Sequence, residues 1–280
     1  MLFDSHAHIN NEGFLQKDRD KIIGEIEGDP QLSYVADIGF DLESSRLAAG
    51  HSGRYDWCIA AVGYHPHNAR EMGDMELALI KGLARKPGVM AIGEIGLDFH
   101  YDHSPRDVQK EAFCRQIDLA NQLKMPMVIH SREADNEVLE ILKKEGAFSS
   151  ERKDWFPARA VAEGWESAAG DSRVLLHCYS GSSELAEQYV RLGGTISLAG
   201  PLTYKNNKKT VKVADRIPLE FLLVETDAPY LTPEPFRGRP NKSSYVEHTA
   251  RRLAVIKGMK WEEVATKTCE NAKIFYGMVM

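Results

Sequence analysis

Two histidines separated by one residue stand near the start of the sequence, as His6 and His8. Alternate residues of a β-strand point to the same side, so this pair can hold one metal ion between its imidazoles. Two histidines at this spacing also occur by chance, as two polar residues at the end of a strand. The pair becomes informative through four further metal-competent residues placed far along the chain, namely Glu94, His130, His177 and Asp227.

Imidazole nitrogens combined with carboxylate oxygens predict a centre for divalent ions. Zn²⁺, Mn²⁺ and iron accept such mixed ligands, whereas Mg²⁺ favours oxygen. Four histidines and two carboxylates exceed what one tetrahedral ion needs, and two ions about 3.5–4 Å apart are a recurrent hydrolytic arrangement. We therefore predict two divalent ions, with zinc, manganese, magnesium, iron and nickel all left open. Each residue alone also has a plainer interpretation, as an ion-pair partner, a buried histidine or a turn-capping carboxylate.

The elements that must position these residues are short apolar runs alternating with longer amphipathic segments, a pattern typical of βαβ units and a parallel sheet. We predict eight strands, near 2–8, 33–39, 57–63, 89–95, 126–130, 173–178, 194–198 and 221–226. Eight strands with intervening helices indicate an α/β fold of the (β/α)₈ TIM-like barrel type. An open, doubly wound sheet is the alternative.

The candidate ligands fall at the carboxyl-terminal ends of these strands, the face at which barrel active sites are built. His6 and His8 end the first strand, and Glu94 lies near the end of the fourth. The fifth and sixth strands end in His130 and His177, and Asp227 follows the eighth. Unpaired polar groups inside a barrel are costly, so this joint placement favours a metal site over chance.

Weaker candidates lie close to the same strand ends. His65 and His67 follow the third strand, where they either bind substrate or shape a proline-stiffened turn. Arg132 is a plausible anion contact, or else forms a surface ion pair with a neighbouring carboxylate. Asp98 either orients a histidine of the centre or caps a loop. The lysine-rich segment 204–212 is interpreted as a solvated loop rather than a phosphate site.

Two segments interrupt the alternation. Residues 146–172 are predicted to be an inserted excursion with a short helix near 158–168, and residues 229–245 a long loop, which in compact domains is often functional. The clearest helix is predicted to begin with Ser104 as N-cap and Pro105 as its first residue.

The composition is that of an ordinary globular protein, with 43% hydrophobic and 27% charged residues in 280. We expect one barrel domain over 1–280. A net charge of −6 disfavours nonspecific wrapping of nucleic acid, although metal ions or a local groove can supply positive charge. Four scattered cysteines fit a reducing compartment, and no export signal or membrane span is evident. We therefore expect a cytoplasmic protein with no obligate protein partner.

Six segments of the chain resemble the TatD-type metal-dependent hydrolases, commonly TatD-family deoxyribonucleases within the amidohydrolase-like superfamily. They are HAH at 6–8, GYHPH at 63–67, GEIGLDFHYD at 93–102, HSREA at 130–134, HCYSG at 177–181 and TDAPYLTP at 226–233. The resemblance implies a distorted (β/α)₈ barrel with a binuclear metal centre. It also implies that one ion is held by His6, His8, Glu94 and Asp227, and that Glu94 bridges to a second ion held by His130 and His177.

Characterised members of the family cleave phosphodiester bonds of DNA, some as 3′ exonucleases, so DNA is the expected substrate. The chain departs from the family pattern at Ser243, where a proline is usual, and in a longer 146–172 segment. We place both departures on segments joined to the active face, where they would affect substrate preference.

The predicted reaction is hydrolysis by a metal-activated water. Asp227 is positioned to accept the proton of this water and then to protonate the leaving group, while Arg132 stabilises charge on the phosphoryl oxygens. The ligand set serves carbonyl centres equally well, so an amidohydrolase, lactonase or phosphotriesterase acting on a small phosphate or carboxyl ester is the alternative. A catalytically idle metal- or nucleic-acid-binding barrel is a rival from another class.

Overall fold

The computed structural model describes residues 1–11 and 13–278. Within them, eight parallel strands form one sheet in chain order. The strands are β1 (Leu2–Ala7), β2 (Leu32–Ile38), β3 (Cys58–Val62), β4 (Val89–Asp98), β5 (Met127–Arg132), β6 (Val174–Leu176), β7 (Thr195–Leu198) and β8 (Leu222–Val224). Because each strand pairs with its neighbours in sequence, the predicted barrel is confirmed and the doubly wound alternative is wrong.

The barrel closes at an irregular seam between β8 and β1. An isolated parallel bridge joins Ala7 to Ala228. The amide of Asp227 donates to the carbonyl of His6 over 2.9 Å, and the amide of His8 donates to the carbonyl of Ala228 over 2.8 Å. Closure therefore depends on backbone hydrogen bonds at three of the predicted ligands. These bonds bring His6 and His8, near the start of the chain, next to Asp227.

Ten α-helices accompany the strands in the described residues. They are α1 (Gln16–Glu27), α2 (Leu42–Ser52), α3 (Asp74–Leu83), α4 (Arg106–Leu123), α5 (Asp135–Lys144), α6 (Ser150–Lys153), α7 (Ser183–Arg191), α8 (Lys208–Arg216), α9 (Val246–Lys257) and α10 (Trp261–Phe275). No described helix is long and apolar enough to cross a membrane.

The start of α4 differs from the sequence prediction. The helix begins at Arg106, with Pro105 as an extended N-cap that has no side-chain hydrogen bond. The Ser104 hydroxyl instead donates to the carbonyl of His67 over 2.8 Å and accepts the amide of Arg70. A partner in a neighbouring loop thus replaces the local capping bond, and it fixes the segment that follows β3 against the start of α4.

Two apolar layers lie on either side of the sheet. The larger one joins the outer faces of the strands to the surrounding helices. The smaller one fills the barrel interior and includes Val128, Leu175 and Leu223, each two residues before a polar residue of the site. Phe275 at the end of α10 and Tyr276 directly after it complete this inner layer. The site is therefore supported from beneath by an apolar floor that α10 closes.

The 146–172 segment does not lie where the sequence analysis expected. It contains α6 and a 3-10 turn at Glu166–Ala168 rather than a helix near 158–168. Arg152 donates to the carbonyls of Met125 and Ser172, which lie just before β5 and β6. The segment therefore covers the amino-terminal end of the barrel, opposite the predicted ligands, and its assignment to the active face is wrong.

The lysine-rich segment 204–212 is also only partly a loop, because its second half forms the first turns of α8. Asn207 caps this helix by accepting the amide of Thr210. By contrast, residues 229–242 have no regular helix or strand, as predicted for the long loop after β8.

Candidate metal centre

Four of the predicted ligands form a compact cage at the carboxyl-terminal end of the barrel. The Nε2 atoms of His6 and His8 lie 3.3 Å apart. Glu94 Oε2 lies 3.5 Å and 3.7 Å from these nitrogens, and Asp227 Oδ1 lies 3.8 Å and 3.4 Å from them. Ligand atoms about 2.0–2.1 Å from a tetrahedral ion stand about 3.3–3.4 Å apart. The cage therefore has the dimensions of a metal site.

A second group of ligand atoms meets the other oxygen of Glu94. Glu94 Oε1 lies 2.8 Å from His130 Nδ1 and 2.7 Å from His177 Nε2. The two histidine nitrogens are 3.4 Å apart. The Glu94 carboxylate thus presents one oxygen to each group. The strand β4 continues to Asp98, so Glu94 lies in its middle rather than near its end as predicted.

Close contact between β4 and β5 makes this arrangement possible. Gly96 pairs with His130 across the two strands. It adopts a φ of +147°, and a Cβ there would stand 2.0 Å from the carbonyl oxygen of His130. Only glycine permits this approach, so the second glycine of the GEIG motif sets the position of His130 relative to Glu94.

Three of the four histidines are oriented by an acceptor on their outer nitrogen. His8 Nδ1 lies 2.8 Å from the carbonyl of Ile38, and His130 Nε2 lies 3.2 Å from Asp98. His177 Nδ1 lies 3.4 Å from Glu225. An acceptor on one nitrogen holds its proton there, so the other nitrogen turns a lone pair toward the centre. The exception is His6, whose Nδ1 is buried without a hydrogen-bond partner among the described residues.

The charges of the centre shift one another. Burial alone raises the pKa of Glu94, but His177 and His65 outweigh it and hold that pKa well below its ordinary value. Burial likewise raises the pKa of Asp227, and His8 and His6 more than offset this. Both carboxyl groups are therefore ionised at neutral pH, as metal ligands must be.

The two histidines of the segment after β3 belong to the same cluster. His65 is buried, its Nε2 lies 3.4 Å from Glu94 Oε1, and burial lowers its pKa to about 3. His67 Nε2 lies 2.9 Å from Asp98 Oδ2. His65 thus reaches the second group of ligand atoms, whereas His67 reaches it through Asp98 and His130. Their predicted role in substrate binding stays a prediction.

Arg132 and Asp98 lie at the rim of this cluster. Among the described residues Arg132 makes no ion pair, and its guanidinium lies 4.6 Å from the ring centroid of Tyr101. Asp98 fulfils both interpretations offered for it. Its Oδ2 contacts His67 and His130, and its Oδ1 accepts the amides of His100 and Tyr101.

Sequence reasoning missed Glu225 and Ser197. Glu225 is fully buried, contacts His177, and accepts a short hydrogen bond from the Ser197 hydroxyl. Strand alternation was the available signal, because Glu225 stands two residues after the inward-facing Leu223. Only Asp227, two residues later, was considered as the polar residue after this strand, and so Glu225 was overlooked.

Comparison with known proteins places this geometry in a family. The model of the family described as TatD related DNase matches residues 3–277. This chain belongs to that family. It is 40% identical over 273 residues to a Bacillus subtilis protein named uncharacterized metal-dependent hydrolase YabD, with 98% of each chain covered. It is 30% identical to a protein named 3′-5′ ssDNA/RNA exonuclease TatD from Erwinia amylovora, over 99% of this chain and 100% of that one.

A solved structure agrees with the fold. The crystal structure of YjjV, a TatD homologue from Escherichia coli, superposes with a TM-score of 0.83 at 24% identity, covering 99% of this chain and 98% of that one. The protein is thus a metal-dependent hydrolase of the TatD type, and the buried His, Glu and Asp groups are where this TatD-family chain could hold its metal.

The departure of this TatD-family chain at Ser243 lies next to β1. Ser243 is buried, and burial raises the pKa of the nearby Asp4 carboxyl to about 7. Asp4 in turn accepts the amide and hydroxyl of Thr226, directly before Asp227. Asp4 therefore ties β1 to the residue that directly precedes Asp227, beside the seam.

Proposed function

We propose that this chain is a 3′–5′ exonuclease for single-stranded DNA or RNA that uses two divalent ions held by His6, His8, Glu94, His130, His177 and Asp227. The observation that carries the proposal is the Glu94 carboxylate, whose two oxygens face two separate groups of histidine nitrogens. Relatives aligned over nearly the whole chain are named as exonucleases of this kind, which supports the substrate class.

The donor set fits divalent ions. His6, His8 and Glu94 are buried, the Asp227 side chain is 14% exposed, and five distances between their facing ligand atoms run from 3.3 to 3.8 Å. Mixed nitrogen and oxygen donors suit Zn²⁺, Mn²⁺ or iron, and this choice among metals is part of the proposal. Ions bound here would supply Lewis acidity and lower the pKa of an attacking water toward about 7.

The chain's own groups then have distinct tasks. The Asp227 carboxylate, ionised beside His8, accepts the proton of the attacking water and returns it to the leaving oxygen. The Arg132 guanidinium, exposed at the rim, binds a phosphate oxygen of the nucleic acid. Asp98 and Glu225 keep the outer nitrogens of His130 and His177 protonated, so that their inner nitrogens stay free to ligate.

The test is an assay of metal-replete protein on strands labelled at the 3′ or the 5′ end, single-stranded and duplex, beside model carboxyl esters. We expect mononucleotides to be released from the 3′ end of single strands. Glu94→Gln should abolish this activity and reduce bound metal from two ions to one or none, measured by elemental analysis. Glu151→Gln, an exposed carboxylate on α6, is the matched control and should behave as wild type.

Turnover of carboxyl esters without cleavage of any phosphodiester would contradict the proposal. A Glu94→Gln variant that still binds two ions would contradict the bridging role of Glu94. That result would not bear on the substrate assignment.

A further inference from the structure

Exposed aromatic side chains are rare on the described surface. Of the large hydrophobic residues that are exposed there, two are aromatic, Tyr101 with 51% and Tyr230 with 52% of its surface accessible. Both lie on loops that follow strands at the carboxyl-terminal end of the barrel. Loops at this end of a barrel build its active site, so two exposed rings on them are candidates for substrate contacts.

Tyr230 stands at one side of the candidate metal centre. Its ring centroid is 6.2 Å from that of His8, and its amide donates to the carbonyl of Asp227 over 2.8 Å. The hydroxyl accepts a hydrogen bond of 2.8 Å from the side-chain amide of Asn11. The ring is thus held in a fixed orientation while half of its surface stays open.

Tyr101 stands at the other side. Its amide donates to Asp98, which contacts His130. The Arg132 guanidinium lies 4.6 Å from its ring centroid, and the exposed ring of His103 lies nearly parallel to it at 5.6 Å. Arg132 and the rings of His67, His100 and His103 therefore order this ring while half of its surface stays open, and Arg132 brings a positive charge.

We propose that Tyr101 and Tyr230 each stack a base of a single-stranded nucleic acid, one on either side of the bond that is cut; the inference rests on the proposed function. A base can stack on an ordered, exposed ring whatever its sequence, and arginine beside the ring adds a cation that attracts the backbone. In a duplex the base faces are already stacked on their neighbours. The two rings therefore select unpaired ends, and they supply contacts that the acidic overall charge does not.

The test pairs tyrosine variants with substrates that lack a base. The substrates are 3′-end single strands, intact or with an abasic tetrahydrofuran unit at the last or the preceding nucleotide. On the intact strand Tyr101→Ala and Tyr230→Ala should each lower kcat/KM by about 5- to 100-fold, mainly through KM. On the strand without the matching base the same variant should change kcat/KM by less than about twofold, because nothing is left to stack. Tyr101→Phe, which keeps a ring that can stack, should lose far less kcat/KM on the intact strand than Tyr101→Ala.

The Val255→Ala variant, exposed on α9, is the control for surface truncation and should match wild type. Equal losses on intact and abasic strands would overturn the inference while leaving the exonuclease proposal standing. Failure of the wild type to cleave any strand would overturn the exonuclease proposal first. As a second measurement, 2-aminopurine placed at the terminal base should be quenched on binding to Asp227→Asn and should recover in the double variant with Tyr101→Ala or Tyr230→Ala. Unchanged quenching in both double variants would overturn the stacking role.

Discussion

The carboxyl-terminal end of the barrel holds histidines and carboxylates whose polar atoms face one another, whereas the amino-terminal end holds Arg152, whose polar atoms face neutral acceptors. Arg152 is fully buried and donates to the carbonyl of Ser172, the side-chain oxygen of Asn121 and the carbonyl of Met125, at 2.7, 2.9 and 2.7 Å. Trp155 and Phe156 pack against the guanidinium.

This difference shows that Arg152 has a structural role, whereas the candidate metal centre lacks partners that a bound ligand would supply. Burial of a charge is tolerated when the protein itself supplies its hydrogen bonds, and Arg152 meets that condition without a ligand. At the other end the Glu94 and Asp227 oxygens and the inner histidine nitrogens converge on one another, and a metal cation would accept lone pairs from all of them. Both ends of the barrel contain buried charged groups, so burial of charge alone does not identify the functional site. The two ends differ in whether the protein itself supplies hydrogen-bond partners for those charges.

The strongest test of the functional end is Asp227→Asn. The amide keeps the shape of the side chain but cannot accept a proton at neutral pH, so we expect kcat to fall by about 10²–10⁴-fold at saturating metal. The measurement is single-strand cleavage with metal content determined in parallel. Wild-type kcat in protein that holds both ions would rule out the proton-accepting role.

The matching test of the structural end is Arg152→Met. Methionine fills much of the volume but leaves three buried oxygens without a donor, so the free energy of unfolding should fall by about 3–5 kcal/mol. Urea denaturation measures it, with Arg46→Met on the exposed face of α2 as a control that should change stability by about 0.5 kcal/mol or less. Cleavage by the folded fraction should be unchanged. A large loss of kcat there would show that the two ends do not have separate roles.

Features that depend on residues close together in the sequence were predictable, whereas features that depend on residues far apart were not. The eight strands were predictable because burial patterns are local, and so was the convergence of the six candidate ligands at one end of the barrel, although Glu94 lies in the middle of β4 rather than near its end. The start of α4 was not, because Ser104 bonds to His67 and Arg70, some 35 residues away in sequence. The 146–172 segment was put at the wrong end although it lies between a helix and the next strand, a position that in a barrel belongs to the amino-terminal end. The exposure of the two tyrosines could not be distinguished from ordinary core positions without tertiary contacts, whereas strand alternation did indicate that Glu225 faces the barrel interior.

A smaller effect is expected from Glu225→Gln, which tests how the functional end is supported. The amide no longer fixes the proton on His177 Nδ1 as firmly, so the affinity for the second ion, which we propose is held by His130 and His177, should fall about 10- to 100-fold. Isothermal titration of metal-free protein measures this affinity, with Glu43→Gln on α2 as an exposed control. Unchanged affinity would mean that Ser197 and the surrounding backbone orient His177 without the carboxylate.

The smallest effect is expected from Tyr276→Phe, which tests whether the two ends communicate. Tyr276 follows α10 at the amino-terminal end, yet its buried hydroxyl donates to the carbonyl of Ser5 over 2.8 Å, one residue before His6. Loss of this hydrogen bond should lower the free energy of unfolding by about 0.5–1.5 kcal/mol, measured by urea denaturation. Because the backbone of β1 is also held by the seam with β8, metal affinity should change by less than about threefold. A larger change in metal affinity than in stability would show that the helix below the barrel positions His6, and the division between a structural and a functional end would then have to be abandoned.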